Sequence, residues 1–350
     1  MKKKDPVRSD DDHSISLDAG VKEALAEVSE LRDRKRKKIL RIYAAILAVA
    51  VLLSYCFGNW DILLVVLAIG SVYAVNVYRD KKSDVKRQYT VIVIPALLKT
   101  IAPGLTFDHK KKIPVEDFRR ADIFWEGDIY VGADLFYGSY KGVPLRFSEI
   151  GTFSENFYGD SNNKKKSIVF YGIFMIASFN KDFKSRHWVL PENSKAKFGP
   201  AIGDFIRKHK ENERGHLISM NDPAFERRFV VYTEDDAEAR HILTPELMRT
   251  MLTLSDRFNK GKTRIGFAFV DSNICIAIPI KLGRYLFEMP SRGKLDEYAL
   301  QTTMADLKEI LGVFDALELD SRPMSKDAPA AVPESPDTAE LSTGNHIDPK

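Results

Sequence analysis

The sequence predicts an α+β protein, a two-helix transmembrane hairpin that carries a cytoplasmic β-rich domain. Three observations predict it. Two apolar runs, Ile39–Phe57 and Ile62–Tyr78, are split by the polar tip Gly58-Asn59-Trp60-Asp61. Lysine and arginine crowd both outer flanks of that pair and are missing from the tip. Beyond Phe107 the apolar pattern shortens to runs of strand length, closed by one long helical stripe.

Each run is near the lower end of the range of about 17–25 residues that spans a bilayer. Arg41 is the one charge in the first run and lies at its edge, where a long side chain can snorkel. The second run carries no charge. Apolar character on all faces argues against buried core helices, which keep a polar stripe. The late start of the first run and the immediate second run argue against a cleaved signal peptide. Arg32-Asp33-Arg34-Lys35-Arg36-Lys37-Lys38 precedes the hairpin, and Arg79, Lys81, Lys82, Lys86 and Arg87 follow it. The positive-inside rule therefore predicts a two-pass protein with both termini cytoplasmic.

Length and composition bound the rest. The chain has 350 residues and a net charge of +4, with much of the positive charge beside the spans. Its two cysteines, Cys56 and Cys275, offer neither a disulfide framework nor a zinc site. Residues 1–16 are polar and expected to be disordered, as is the proline-rich tail 321–350. In 17–38, Leu17, Val21, Leu25, Val28 and Leu31 form a helical stripe. That stripe predicts an amphipathic helix that packs on the protein's own domain or on the membrane, or else a short seam for homo-oligomer formation. Gly70, Ser71 and Ala74 would permit close approach of another membrane helix.

The domain is expected over 84–320. A helix over Asp84–Thr100 continues the second span, with Pro95 as a kink or break. Leu135–Tyr140 and Val143–Ile150 form a hairpin across Lys141-Gly142. Ser167–Phe179, Arg186–Leu190 and Phe229–Tyr232 are strands, and Lys195–Lys210 is a helix. Glu234–Leu243 is a helix, and Thr244 with Pro245 starts another that runs to Phe258. Arg264–Val270 and Ile274–Ile280 pair across Asp271-Ser272-Asn273. Lys294–Leu317 closes the domain as a C-terminal helix. The order, about seven strands and then a helix, is similar to pleckstrin-homology-like barrels. Such a likeness carries no function by itself.

Chemistry is sparse. None of the seven histidines stands at a metal-ligand spacing from another ligand, so no metal or cofactor is expected. Gly261-Lys262-Thr263 resembles the end of a P-loop, but Asp256 stands where the loop needs glycine. Nucleic-acid binding motifs are missing too. Two basic clusters, Lys110, Lys111 and Lys112 after His109 and Lys164, Lys165 and Lys166, are candidates for contact with anionic lipid.

Asp222-Pro223-Ala224-Phe225-Glu226, running on to Phe229-Val230-Val231-Tyr232, and Glu238-Ala239-Arg240-His241-Ile242-Leu243-Thr244-Pro245 resemble the signature of a bacterial family, domain of unknown function 3137. His241 stands where that family usually has tyrosine. Phe174–Phe183 and the order of two spans before a domain are also similar, so the resemblance covers roughly residues 85–320. It implies a bacterial inner-membrane protein and no established activity. Read from the residues, Glu226, Arg227, Arg228, Glu238 and Arg240 are expected to lock helix to sheet as an ion-pair network. The leading expectation is a non-enzymatic, membrane-anchored module that contacts a protein partner or anionic lipid. The alternative is an enzyme acting on a membrane-proximal substrate through His241, Arg240 and Glu238.

Overall fold

The computed structural model describes residues 19–57, 88–157, 164–179, 183–192, 214–259, 265–280 and 297–319, with the isolated helical positions 68 and 70. The tip Gly58–Asp61, nearly all of Ile62–Tyr78 and the basic stretch after it lie outside those residues. So do both predicted disordered ends, the predicted helix over Lys195–Lys210 and Gly261-Lys262-Thr263.

Helix α1, Ala19–Phe57, runs unbroken from the amphipathic stretch into the first apolar run. Its 39 residues make a rod about 58 Å long. The two halves differ in which side chains they expose. Val21 and Val28 are buried, whereas Leu52 is 61 % exposed and Tyr55 87 % exposed. Among the described residues, the stretch Gly20–Cys56 is the one helix long and apolar enough to cross a membrane. One face of its apolar half is covered: Ala50 and Ser54 are buried, and a Cβ on Gly70 would meet Ile46 at 2.5 Å. The backbone at Gly70 thus lies directly against α1.

Helix α2, Gln88–Ile101, passes through Pro95 without breaking. Helix α3 is Val115–Ala121, α4 Pro223–Glu226, α5 Asp236–Ile242, α6 Pro245–Asn259 and α7 Glu297–Ala316. Among the described residues, nine strands form one antiparallel sheet. They are β1 Leu105–Asp108, β2 Ile129–Tyr140, β3 Val143–Phe157, β4 Lys164–Ser178, β5 His187–Pro191, β6 His216–Ile218, β7 Phe229–Thr233, β8 Gly266–Val270 and β9 Asn273–Pro279. Their order is β1-β2-β3-β4-β9-β8-β5-β7-β6.

This corrects the expected fold in two respects. Nine strands replace seven, because β1 and β6 are edge strands too short to show a pattern. One open sheet also replaces the two sheets of a pleckstrin-homology-like barrel, since β1 and β6 end it without meeting. The expected hairpins are present. Lys141 and Gly142 both have positive φ, as do Asp271 and Ser272, which gives two tight turns matched to strand twist.

Both faces of the sheet are apolar. Ile173 and Met175 of β4 face one core, with Leu247, Met251, Leu311 and Phe314 from α6 and α7. Phe170 and Phe174 of the same strand face the other, with Phe118 and Phe124 from α3 and its following turn. The period of two along β4 sorts these side chains. A third, smaller core joins Val21 and Val28 of α1, Tyr89, Val93 and Leu97 of α2, and Leu300 and Met304 of α7. The stripe of 17–38 is therefore occupied by the protein's own helices.

Candidate functional site

The signature segment is a set of carboxylates that hold backbone. Asp222 caps α4, its side chain accepting from the backbone N–H of Ala224 at 2.9 Å and Phe225 at 3.1 Å. Pro223 fills the first helical position, where no N–H is needed. Phe225 is buried against Phe229, with ring centroids 5.1 Å apart. Oε1 of Glu226 accepts from the Ser219 hydroxyl at 2.5 Å and from the N–H groups of Met220 and Asn221 at 2.7 and 3.0 Å. The Ser219 bond and those two N–H groups hold the Glu226 carboxyl below the usual carboxylate range. Asn221 stands at φ 58°, a left-handed turn that asparagine tolerates.

Glu238, on α5, does the same for the chain entering β5. Its two oxygens accept from the N–H groups of Lys184 and Ser185, each at 2.9 Å. Oε2 also meets Nε2 of His187 at 3.2 Å. His187 is fully buried, and its Nδ1 lies 2.7 Å from the Thr233 hydroxyl oxygen. Burial pushes the His187 imidazole below its ordinary value, against the pull of Glu238. Burial also works to raise the Glu238 carboxyl. The Lys184 and Ser185 N–H groups, the Ser185 hydroxyl and His187 outweigh it and hold that carboxyl low. An ionised Glu238 leaves Nε2 of a neutral His187 as the donor.

These bonds overturn one expectation. The five charged residues do not form one network: Glu226 and Glu238 serve separate loops, and Arg228 pairs with Asp256. The trio named for the enzyme alternative lies on α5. Glu238 turns inward to His187, while Arg240 and His241 are exposed. Thr244 and Pro245 begin α6 as expected, with the Leu247 N–H donating to the Thr244 hydroxyl at 3.3 Å. Sequence reasoning missed His187, which lies inside an ordinary strand and has its partner far along the chain. Among the described residues no group of three metal-ligating side chains comes together.

The basic clusters occupy different places. Lys110, Lys111 and Lys112 follow β1, and all three are exposed. Next to them His109 Nδ1 lies 2.6 Å from Asp134, and Lys112 sits over the Tyr130 ring at 5.9 Å. Lys164, Lys165 and Lys166 open β4 and pair with Phe157, Asn156 and Glu155 of β3. They belong to a strand, not to a loop. Gly132, beside Lys112, pairs with Ile150 of β3, five residues from Glu155. The clusters therefore sit at levels of the sheet about 17 Å apart.

The junction of α1, α2 and α7 is the third feature. Its polar lock is a hydrogen bond of 2.9 Å between the Tyr89 and Thr303 hydroxyls, both buried. Burial raises the Tyr89 phenol above its ordinary value, against that bond.

No curated protein and no solved structure matches the chain. A family described as protein of unknown function, DUF3137, matches residues 168–319, from within β4 to the end of α7. The matched stretch contains the carboxylate-held loops and the closing helix. It begins well after residue 85, so α2 and β1 to β3 lie outside it. Residues 168–319 of this chain are a DUF3137 family domain.

Proposed function

We propose that the protein is a two-pass module of the bacterial inner membrane, with both termini cytoplasmic, whose domain binds a protein partner or anionic lipid. One observation carries this reading. α1 is a single helix with one face of its first half buried against α2 and α7 and large apolar side chains bare along its second half. Left in water, side chains of this size lose roughly 1.5–3 kcal/mol each relative to burial, which a bilayer restores. The contact of Gly70 with Ile46 supports a hairpin, since it sets one residue of the second apolar run against the first. Arg32 to Lys38 then mark the cytoplasmic side.

Cysteine labelling tests the topology. Cys275 is buried, with its thiol pushed up to about 12, so Cys56→Ser leaves no reactive native thiol among the described residues. In that background Trp60→Cys should react with a membrane-impermeant maleimide in intact spheroplasts, and Lys35→Cys only after lysis. The reverse pattern would invert the topology. Release of the protein by an alkaline wash would remove the anchor.

A further inference from the structure

We propose that His187, Thr233 and Glu238 form a proton-binding switch inside the folded domain, in which uptake of one proton by the imidazole turns the Thr233 hydroxyl from His187 to the backbone carbonyl of Asp235. The switch operates whichever side of a membrane the domain occupies.

The sheet assembles the cluster. His187 of β5 pairs with Thr233 of β7, and directly paired residues of an antiparallel ladder put their side chains on one face. Both residues are fully buried. The imidazole uses both of its nitrogens. Nδ1 lies 2.7 Å from Oγ1 of Thr233, and Nε2 lies 3.2 Å from Oε2 of Glu238. Oγ1 of Thr233 is also 2.9 Å from the Asp235 carbonyl oxygen, and it accepts from the Asp235 N–H at 2.9 Å. The hydroxyl thus has two acceptors in reach and one proton to give.

Which acceptor it serves depends on His187. An ionised Glu238 has no proton to share, so Nε2 carries one in either state. In the neutral imidazole Nδ1 is bare, and the Thr233 hydroxyl donates to it. In the imidazolium Nδ1 carries the added proton, taken from solvent, and donates to Oγ1. The hydroxyl then rotates about its C–O bond and donates to the Asp235 carbonyl, with no O–H bond broken. Neither state strands a buried group. The Asp235 carbonyl already accepts from the Ala239 N–H at 3.0 Å, so it stays paired when the hydroxyl leaves and has a second lone pair when it arrives. A proton at His187 therefore changes the bonding of the carbonyl that starts α5.

The surroundings set where the switch works. Glu238, Asp235 and Glu234 favour the charged imidazole, but burial outweighs them and pushes His187 below its ordinary value. On β6 His216 stands opposite Thr233 and is itself paired with Asp236. β8 contributes Phe269, and the Phe183 ring lies edge-on at 6.2 Å, so neither adds a charge. The basic neighbours in sequence, Lys184 and Arg186, are exposed. The proton is therefore taken up below about pH 6.5, while Glu238, held low by its N–H partners, stays ionised.

The test is an NMR titration of the full-length protein in detergent micelles, labelled with carbon-13 and nitrogen-15 at histidine and aspartate, with His187→Gln to assign the imidazole. At neutral pH the expected form has its proton on Nε2 and a bare Nδ1. On acidification both nitrogens become protonated while the sheet amides persist, and the Asp235 carbonyl carbon moves downfield with the same midpoint. Thr233→Val deprives the charged form of its acceptor at Nδ1, so the midpoint should fall by about one pH unit and the Asp235 carbon should no longer follow. Thr233→Ser should restore both. A neutral form protonated on Nδ1, an imidazole that charges only as the sheet amides vanish, a stationary Asp235 carbon, or an unchanged midpoint in Thr233→Val would each overturn the proposal. The first three are read on the unsubstituted side chains, so they decide it even if Thr233→Val does not fold.

Discussion

At the scale of single residues, the charged positions of the signature act as internal staples. Glu238 holds two N–H groups and a buried histidine, so Glu238→Gln leaves donors short of acceptors. A loss of about 1–3 kcal/mol in stability near neutral pH is expected, read from urea midpoints of the protein in detergent. The pH dependence has a definite sign. In the fold both His187 and Glu238 bind protons more weakly than in the unfolded chain, since both values are depressed. The unfolded state therefore takes up more protons on acidification. Stability from these groups is intact at neutral pH, starts to fall below about pH 6.5, and falls further through the carboxylate range near 4.3. The Glu238→Gln profile should lack the lower part of that loss. A profile parallel to the parent protein at every pH would remove Glu238 from the account.

Elements show where sequence patterns succeed and where they are silent. β4, β8 and β9 were legible because their apolar runs are long and buried on both faces. The start of β2 was not. Gly132 interrupts its pattern and Asp134, at φ 59°, forms a bulge, so the strand is visible only from Leu135 onward. Pro95 suggested a break in α2 that tertiary packing overrides, with Ile94, Leu97 and Leu98 all buried around it. The basic cluster at 164–166 lies outside the strand predicted from Ser167 because lysine is a poor strand former, yet pairing with β3 draws it into the ladder. Helix α6 carries one clear defect. Ser255 is fully buried and its hydroxyl has no hydrogen-bond partner. Ser255→Ala removes that group and raises helix propensity, so it should stabilise the domain by up to about 1 kcal/mol. A lower melting temperature for this variant would contradict the reading.

For the whole molecule, the sequence marked the apolar stretch of α1 more clearly than how that stretch is joined to the domain. The amphipathic stripe and the first apolar run were each visible, but nothing in either marks them as one rod. What settles it is the small core shared by α1, α2 and α7, whose members are far apart in the chain. That core is separate from the two that flank the sheet. Val28→Asp places an unpaired carboxylate in it, at a cost above about 3 kcal/mol. Hydrogen exchange should then speed up in 19–31, 88–98 and 297–306 while β4, β8 and β9 stay protected. Uniform acceleration throughout the sheet would show that the cores unfold together.

In the proposed topology the unbroken α1 makes the span and the domain turn as one shaft. Each residue of an α-helix advances the azimuth by about 100°, so the number of residues between Val28 and Ile39 fixes which face of the apolar half stands above which side of the domain. A rotation of the span about its own axis becomes an equal rotation of the domain, with no joint to absorb it. The chain between those two residues is thus a gauge of angle as much as of distance.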